Sequence, residues 1–298
     1  MKLRVAALLL ALVVVGATAG AADARRSDNR KKPILFVHGF DLDDTPGYDC
    51  GSYWGKMKKR FRDFGQKGPL VTIAYYRGDR NCKHWLGHHG RHGRHHGHSG
   101  RSHDANTSIR HLGYHLAWTI WSHYSKRGKR VDLVGHSMGG LIVRYALAQV
   151  ERDHPRFPRY LLVEDAVTLG TPHTGSGWAV FCGWKQCDEM TPGSGFMDWL
   201  RKKGGHPDGR GGTDWSTIGS HSDYLVSAAS ANAMNSDHRL KYRQDNDPTV
   251  GHMDLIRLGS KRITAKVERW NRPGPWRRDS TSHWPIRRAE LAVTFGNR

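Results

Sequence analysis

Ser137 is the residue whose setting best suits it to nucleophilic chemistry. It stands in Gly135-His136-Ser137-Met138-Gly139, directly after the short β-branched and largely apolar stretch Val131-Asp132-Leu133-Val134 and before Leu141 to Val150, where apolar residues recur at helical spacing. A strand, a sharp turn and a helix in that order raise a serine hydroxyl above the end of a sheet, and the small residues let the helix pack close to the strand. Such a serine needs a base to take its proton and an acid to orient and stabilise that base. It also needs N–H donors for the negative charge that develops on a carbonyl oxygen under attack. The amide of Met138, the residue after the serine, is one candidate donor. The turn His38-Gly39-Phe40, which closes the apolar run Ile34 to Val37, offers a second in the amide of Phe40.

The elements that must position these groups are legible around them. Ile34 to Val37 is a continuous apolar run, as expected of a strand buried on both faces of a parallel sheet. Trp54 to Phe64 reads as a helix and Val71 to Tyr76 as the next strand. Asn106 or Thr107 is placed to cap a helix in which Ile109, Leu112, Leu116 and Ile120 share one face, with Tyr114, Trp118, Trp121 and Tyr124 as packing bulk. After the elbow helix, Leu161 to Leu169 supplies another strand, and Trp215 onward a further one ending near Asp223. Strands alternating with helices predict a mostly parallel sheet with right-handed crossovers.

Three motifs together carry a resemblance: His38-Gly39 after the first strand, Gly135-His-Ser-Met-Gly-Gly140 at the elbow, and Leu169-Gly-Thr-Pro-His-Thr-Gly-Ser176 after the next strand. They resemble bacterial secreted lipases and esterases of the α/β-hydrolase fold, particularly the small class 2 lipase group, over residues 34 to 258. The resemblance implies an α/β-hydrolase fold, a mostly parallel central sheet flanked by helices, with the Gly/Trp-rich stretch 178–213 as a lid-like insertion; the residues of that stretch read equally as a local mini-core stapled by a disulfide. It also implies that acid and base follow the serine in the order Ser, Asp, His. Asp223, in Ser220-His-Ser-Asp223, and His252, in Val250-Gly-His252, satisfy that order and resemble the family at those points. Asp198, Asp208, Asp214, Asp237 and Asp247 remain rivals for the acid, and His206, His238 and His283 for the base. His173 is expected to be a hydrogen-bonded structural residue.

The first 24 residues, with Lys2 and Arg4, an apolar stretch from Val5 to Val15 and a small-residue end at Ala22-Asp-Ala24, read as a secretory signal peptide. The remaining 25–298 is long enough for one α/β domain. Its four cysteines suit an oxidising compartment, and proximity favours Cys50 with Cys82 and Cys182 with Cys187. The full chain carries a net charge of +20, or +19 without Lys2, Arg4 and Asp23. Without a nucleic-acid-binding signature, that charge suits transient contact with anionic surfaces rather than DNA or RNA.

Between His84 and His103 the chain is almost entirely His, Gly, Arg and Ser and reads as a mobile surface insertion rather than a built metal site. Asp245, Asp247 and Asp254 near His252 are expected to be solvated or turn-forming rather than calcium ligands. Residues 261–298, with Trp270, Trp276 and Trp284 among arginines, read as a basic extension whose apolar end docks on the domain. The expected function is that of a secreted, monomeric serine hydrolase acting on an ester or lipid substrate, with no cofactor and no metal. An acyltransferase or amidase using the same triad, and a non-catalytic surface-binding protein on the same scaffold, are the alternatives.

Overall fold

The computed structural model describes residues 29–41, 47–87, 103–259, 264–272 and 274–295. The signal-peptide stretch and most of the His-rich run lie outside the described residues.

Ile34–Val37 (β1) is four apolar residues, all buried. Ile34 and Phe36 join one core layer and Leu35 and Val37 the other. A strand covered on both faces has no polar side, so its sequence does not alternate. In chain order follow α1 (Cys50–Asp63), β2 (Leu70–Ala74), β3 (His84–Trp85), α2 (Ile109–His123), β4 (Val131–His136), α3 (Met138–Glu151) and β5 (Val163–Leu169). Then come α4 (Lys185–Met190), α5 (Gly195–Lys203), β6 (Asp214–Ser220), α6 (Ala228–Ala231), β7 (His238–Tyr242), β8 (Ala265–Asn271), β9 (Arg277–Thr281) and α7 (Pro285–Phe295). The strands form one sheet in the order β3-β2-β1-β4-β5-β6-β7-β8-β9. β1 to β7 pair in parallel, and β8 and β9 are antiparallel.

Strand order reverses between β1 and β4, which lie side by side while β2 flanks β1 on the other edge. The loops leaving the carboxyl ends of β1 and β4 therefore part to opposite directions, and the crevice between them is where ligands bind in open sheets of this kind. Phe40 follows β1 and Ser137 follows β4, so the topology alone brings the two together.

One core layer packs α2, α3 and α5 against the sheet, through Leu112, Leu116, Ile142 and Leu200 among others. The other packs α1 and α7, through Trp54, Phe61, Ile286 and Val293. The C-terminal stretch is thus more than an extension that docks its end: it contributes two strands and a helix to the main sheet and core. Its sequence hid this because β9 is exposed along most of its length and is built from Arg277, Arg278, Asp279, Ser280 and Thr281, with no apolar side chain.

The ends of the His-rich stretch are likewise ordered. His84 pairs with Ile73 in the sheet and His103 lies in a bridge with Tyr76. Helix α2 is capped one residue later than expected. Ser108 accepts from the His111 N–H at 3.1 Å, while Asn106 and Thr107 are held in a turn by Asp104. The disulfides Cys50–Cys82 and Cys182–Cys187 are both formed.

Candidate active site

Ser137 sits between β4 and α3 with φ 54° and ψ −131°, a left-handed-side conformation that side-chain-bearing residues avoid. Its neighbours hold it there: its N–H donates to Leu169 O at 2.9 Å, and Thr171 Oγ1 donates to its carbonyl at 2.9 Å. The flanking glycines leave room that no side chain could share. A Cβ on Gly139 would lie 2.2 Å from Val37 O, and one on Gly135 2.6 Å from Gly140 Cα. Close approach of the helix to β1 and β4 thus requires the small residues of the motif.

His252 lies in the turn before Met253–Ile256 and is buried. Its Nδ1 is 2.6 Å from Asp223 Oδ2. The other carboxylate oxygen, Oδ1, accepts the N–H groups of Leu225 and Val226, both at 3.0 Å. Asp223 is therefore oriented from both ends, and with its proton on Nδ1 the histidine leaves Nε2 available as an acceptor. Ser137, His252 and Phe40 line one cavity of about 180 Å³, whose apolar side is formed by Trp178, Ala179, Met190, Leu225 and Val226.

The rival residues are engaged elsewhere. Asp237 pairs with His206 at 2.8 Å and accepts the Trp215 N–H, and Asp214 stands 3.4 Å from His238. Asp198 pairs with Arg201 at the surface, Asp208 accepts from Thr213 N, Asp247 is exposed, and His283 sits in the turn after β9. His173 is buried, with Nε2 3.0 Å from Thr168 Oγ1 and Arg144 donating to Nδ1 and to its carbonyl. Asp254 closes its turn by accepting the Gly251 N–H, and Asp245 pairs with Arg243 and Lys266.

Sequence reasoning missed the residues that hold these groups in place. Tyr75 Oη donates to His38 O and Gly39 O, each at 2.7 Å, and His38 Nδ1 lies 3.0 Å from Gly39 O. In a trans peptide the carbonyl and N–H point opposite ways. Anchoring the Gly39 carbonyl thus fixes the direction of the Phe40 N–H. Asp79 organises this shell from below: Oδ2 meets His38 Nε2 at 2.9 Å and accepts the N–H groups of Tyr75 and Tyr76, while Oδ1 accepts that of Tyr48. Burial alone would raise the Asp79 carboxyl, but His38 and the N–H groups of Tyr48 and Tyr75 outweigh it and hold it below its ordinary range.

A second chain links the two halves of the site. The Gly39 N–H donates to Tyr53 Oη at 3.2 Å, Tyr53 Oη donates to His136 Nδ1 at 2.6 Å, and His136 Nε2 donates to His252 O at 3.1 Å. Complete burial, with His252 and Arg257 adding to it, holds His136 well below the ordinary histidine range and so neutral. Neutral is the state this chain requires, with one ring nitrogen accepting and the other donating. His136 is the variable position of the Gly-x-Ser-x-Gly motif, which is why the motif gives no warning of its role.

Sheet order, elbow and flanking helices are together those of the α/β-hydrolase fold. Within that class, residues 88–203 match the family model described as "Putative serine esterase (DUF676)". The match contains the elbow and ends before Asp223 and His252. Among solved structures, Aspergillus fumigatus lipase B superposes with a TM-score of 0.51 at 14% identity, over 76% of this chain and 49% of that one. A Bacillus licheniformis lipase in its mature form aligns at 19% identity and TM-score 0.47, over 78% and 89%. A lipase-esterase related protein from Clostridium acetobutylicum aligns at 14% and 0.44, over 78% and 92%. No curated protein matches the sequence. The chain is thus similar to lipases and esterases of this fold.

Proposed function

We propose that the protein is an exported serine hydrolase that cleaves carboxylic esters. The observation that carries this reading is the His252–Asp223 pair, 2.6 Å apart, at the cavity that the strained Ser137 also lines. His252 Nε2 takes the Ser137 proton as Oγ attacks the ester carbonyl, and the amides of Phe40 and Met138 receive the oxyanion. The alcohol leaves with that proton. Water then attacks the acyl-enzyme by the same route and releases the acid. Asp223 keeps the His252 proton on Nδ1 and stabilises the imidazolium that forms.

The cavity indicates the substrate. A cavity of about 180 Å³ with an apolar wall suits a short acyl chain. A longer chain would have to run out past Trp178 toward Val180 and Phe181, which are 58% and 86% exposed. That turn serves in this reading as the lid-like wall of the site. Export is supported by the leader-like sequence of residues 1–24 and by the two disulfides. Among the described residues no helix is long and apolar enough to cross a membrane.

Hydrolysis of p-nitrophenyl butyrate and palmitate by the mature protein, beside Ser137→Ala, tests the proposal. Butyrate turnover should exceed palmitate turnover, and Ser137→Ala should lose at least ~10⁴-fold in kcat/KM. Full turnover by a folded Ser137→Ala protein would overturn the mechanism.

A further inference from the structure

Away from the Ser137 cavity, three histidines converge where the chain re-enters the described structure. His103 is brought in beside β2: it bridges Tyr76, its carbonyl accepts the Arg77 N–H at 2.9 Å, and it is 3% exposed. His111 and His115 stand one turn apart on α2, half-buried, with their Nε2 atoms 3.0 Å apart. Ring centroids are separated by 5.2 Å for His103 and His111, 5.5 Å for His103 and His115, and 4.4 Å for His111 and His115. One ring nitrogen from each of the three lies within 4.8 Å of the other two.

Zinc binds imidazole nitrogen at ~2.0–2.1 Å, which in tetrahedral geometry sets nitrogen pairs roughly 3.3 Å apart. The His111–His115 pair is already near that spacing, and His103 has up to about 1.5 Å to close to reach it. An i,i+4 pair of imidazoles needs only one N–H···N contact. A third ring from a separate segment, buried against that pair, is what a metal would require and the pair would not. All three donors are imidazole, which suits Zn²⁺, Cu²⁺ or Ni²⁺ and not the oxygen-seeking Ca²⁺ or Mg²⁺.

We propose that His103, His111 and His115 form a transition-metal site, with Zn²⁺ as its natural occupant and a water in the fourth position. The metal would staple the chain beside Tyr76 to the first turns of α2. The loop it closes is the one that grips α4: Gln186 Nε2 donates to Asp104 O at 3.0 Å and Thr107 O at 2.8 Å, Gln186 N donates to Ala105 O, and Glu189 accepts the Ile109 N–H. Helix α4 carries Cys187 of the second disulfide and ends at Met190, on the wall of the Ser137 cavity. Metal binding therefore firms a wall of that cavity without contributing a ligand to the reaction.

Six further histidines, at 88, 89, 92, 95, 96 and 98, would bind metal in any titration. They are not part of the proposed site, so the test removes them. The mature protein with all six changed to Gln is titrated with Zn²⁺ against a chromophoric chelator, and separately with Co²⁺ by visible absorption. His111→Gln and His115→Gln are then added one at a time. The expected result is one equivalent of Zn²⁺ retained in the six-Gln protein and affinity at least tenfold weaker in each further variant. Saturating Zn²⁺ should raise Tm by several degrees in the six-Gln protein. The further variants should keep its Tm in chelator and lose the zinc-induced rise. A six-Gln protein that binds no stoichiometric Zn²⁺ would overturn the proposal. So would zinc affinity and zinc-induced Tm rise unchanged by both His111→Gln and His115→Gln.

Discussion

Tyr53→Phe removes one oxygen and should disturb both halves of the site. Tyr53 Oη accepts the Gly39 N–H and donates to His136 Nδ1 in a region where Tyr53 is 6% exposed and Gly39 and His136 are buried. Phenylalanine fills the same space but leaves a buried donor and a buried acceptor unpaired. At ~1–3 kcal/mol for each of the two unsatisfied groups, the cost to stability is roughly 2–6 kcal/mol. The activity loss should be smaller than that of removing an oxyanion donor outright, ~10²–10³ in kcat, because Tyr75 still anchors the Gly39 carbonyl. A fall of about tenfold in kcat follows, with a smaller change in KM, since phenylalanine keeps the ring of Tyr53 on the cavity wall and removes only its hydroxyl. Urea unfolding monitored by tryptophan fluorescence gives the first quantity, and initial rates on p-nitrophenyl butyrate give the second. A Tyr53→Phe protein within ~0.5 kcal/mol of wild type and within twofold in kcat would show that the Gly39–Tyr53–His136 chain does not support the site.

Asp223→Asn keeps the shape of the acid but presents an amide to His252, favouring the wrong tautomer; kcat should fall ~10⁴-fold, and a loss under tenfold would point to another acid. Gly39→Ala would place a Cβ 2.8 Å from Ser137 Cβ and 3.3 Å from its Oγ. Labelling of Ser137 by a fluorophosphonate should therefore slow by at least tenfold while the protein stays folded, and wild-type labelling would contradict the close approach. Burial also holds His173, with Arg144 adding to it, well below the ordinary histidine range, as it does His136. The unfolded chain then binds more protons below pH ~6.5 than the folded one, so stability falls with pH from ~6.5 toward 5, by up to ~1.4 kcal/mol per pH unit for each ring. Asp132, held well above the carboxylate range by burial with Asp165 and Glu164 outweighing Lys32, opposes this in part. Denaturant titrations at pH 7, 6 and 5 should show a slope that His173→Gln reduces, and an unchanged slope would remove His173 from the account.

Much of the site was legible because its chemistry and its backbone demands share the same few residues. The glycines around Ser137 are required by contacts as short as 2.2 Å, so the elbow leaves its mark in the sequence. β1 announces itself as an apolar run because both its faces are covered, whereas β4 carries Asp132, buried beside Lys32. Asp223 and His252 were marked only by order and by short turns, and their rivals looked equally able: His206 and Asp237 form a pair as close as many catalytic ones, at 2.8 Å. What sets that pair apart is place, since neither residue lines the Ser137 cavity.

The sequence by itself determined the Gly-x-Ser-x-Gly elbow at Ser137, the strand before it and the helix after it. Local backbone geometry dictates all of these, and local geometry is written in neighbouring residues. Only the tertiary structure decided which carboxylate meets which histidine, that β8 and β9 complete the sheet, and that Tyr53, Tyr75 and Asp79 hold the His38-Gly39-Phe40 turn. The same is true of His136 as the tie to His252, and of the meeting of His103 with His111 and His115. These are contacts between segments far apart in the chain. A polar side chain carries no mark of the partner that satisfies it until packing removes the water that would otherwise do so.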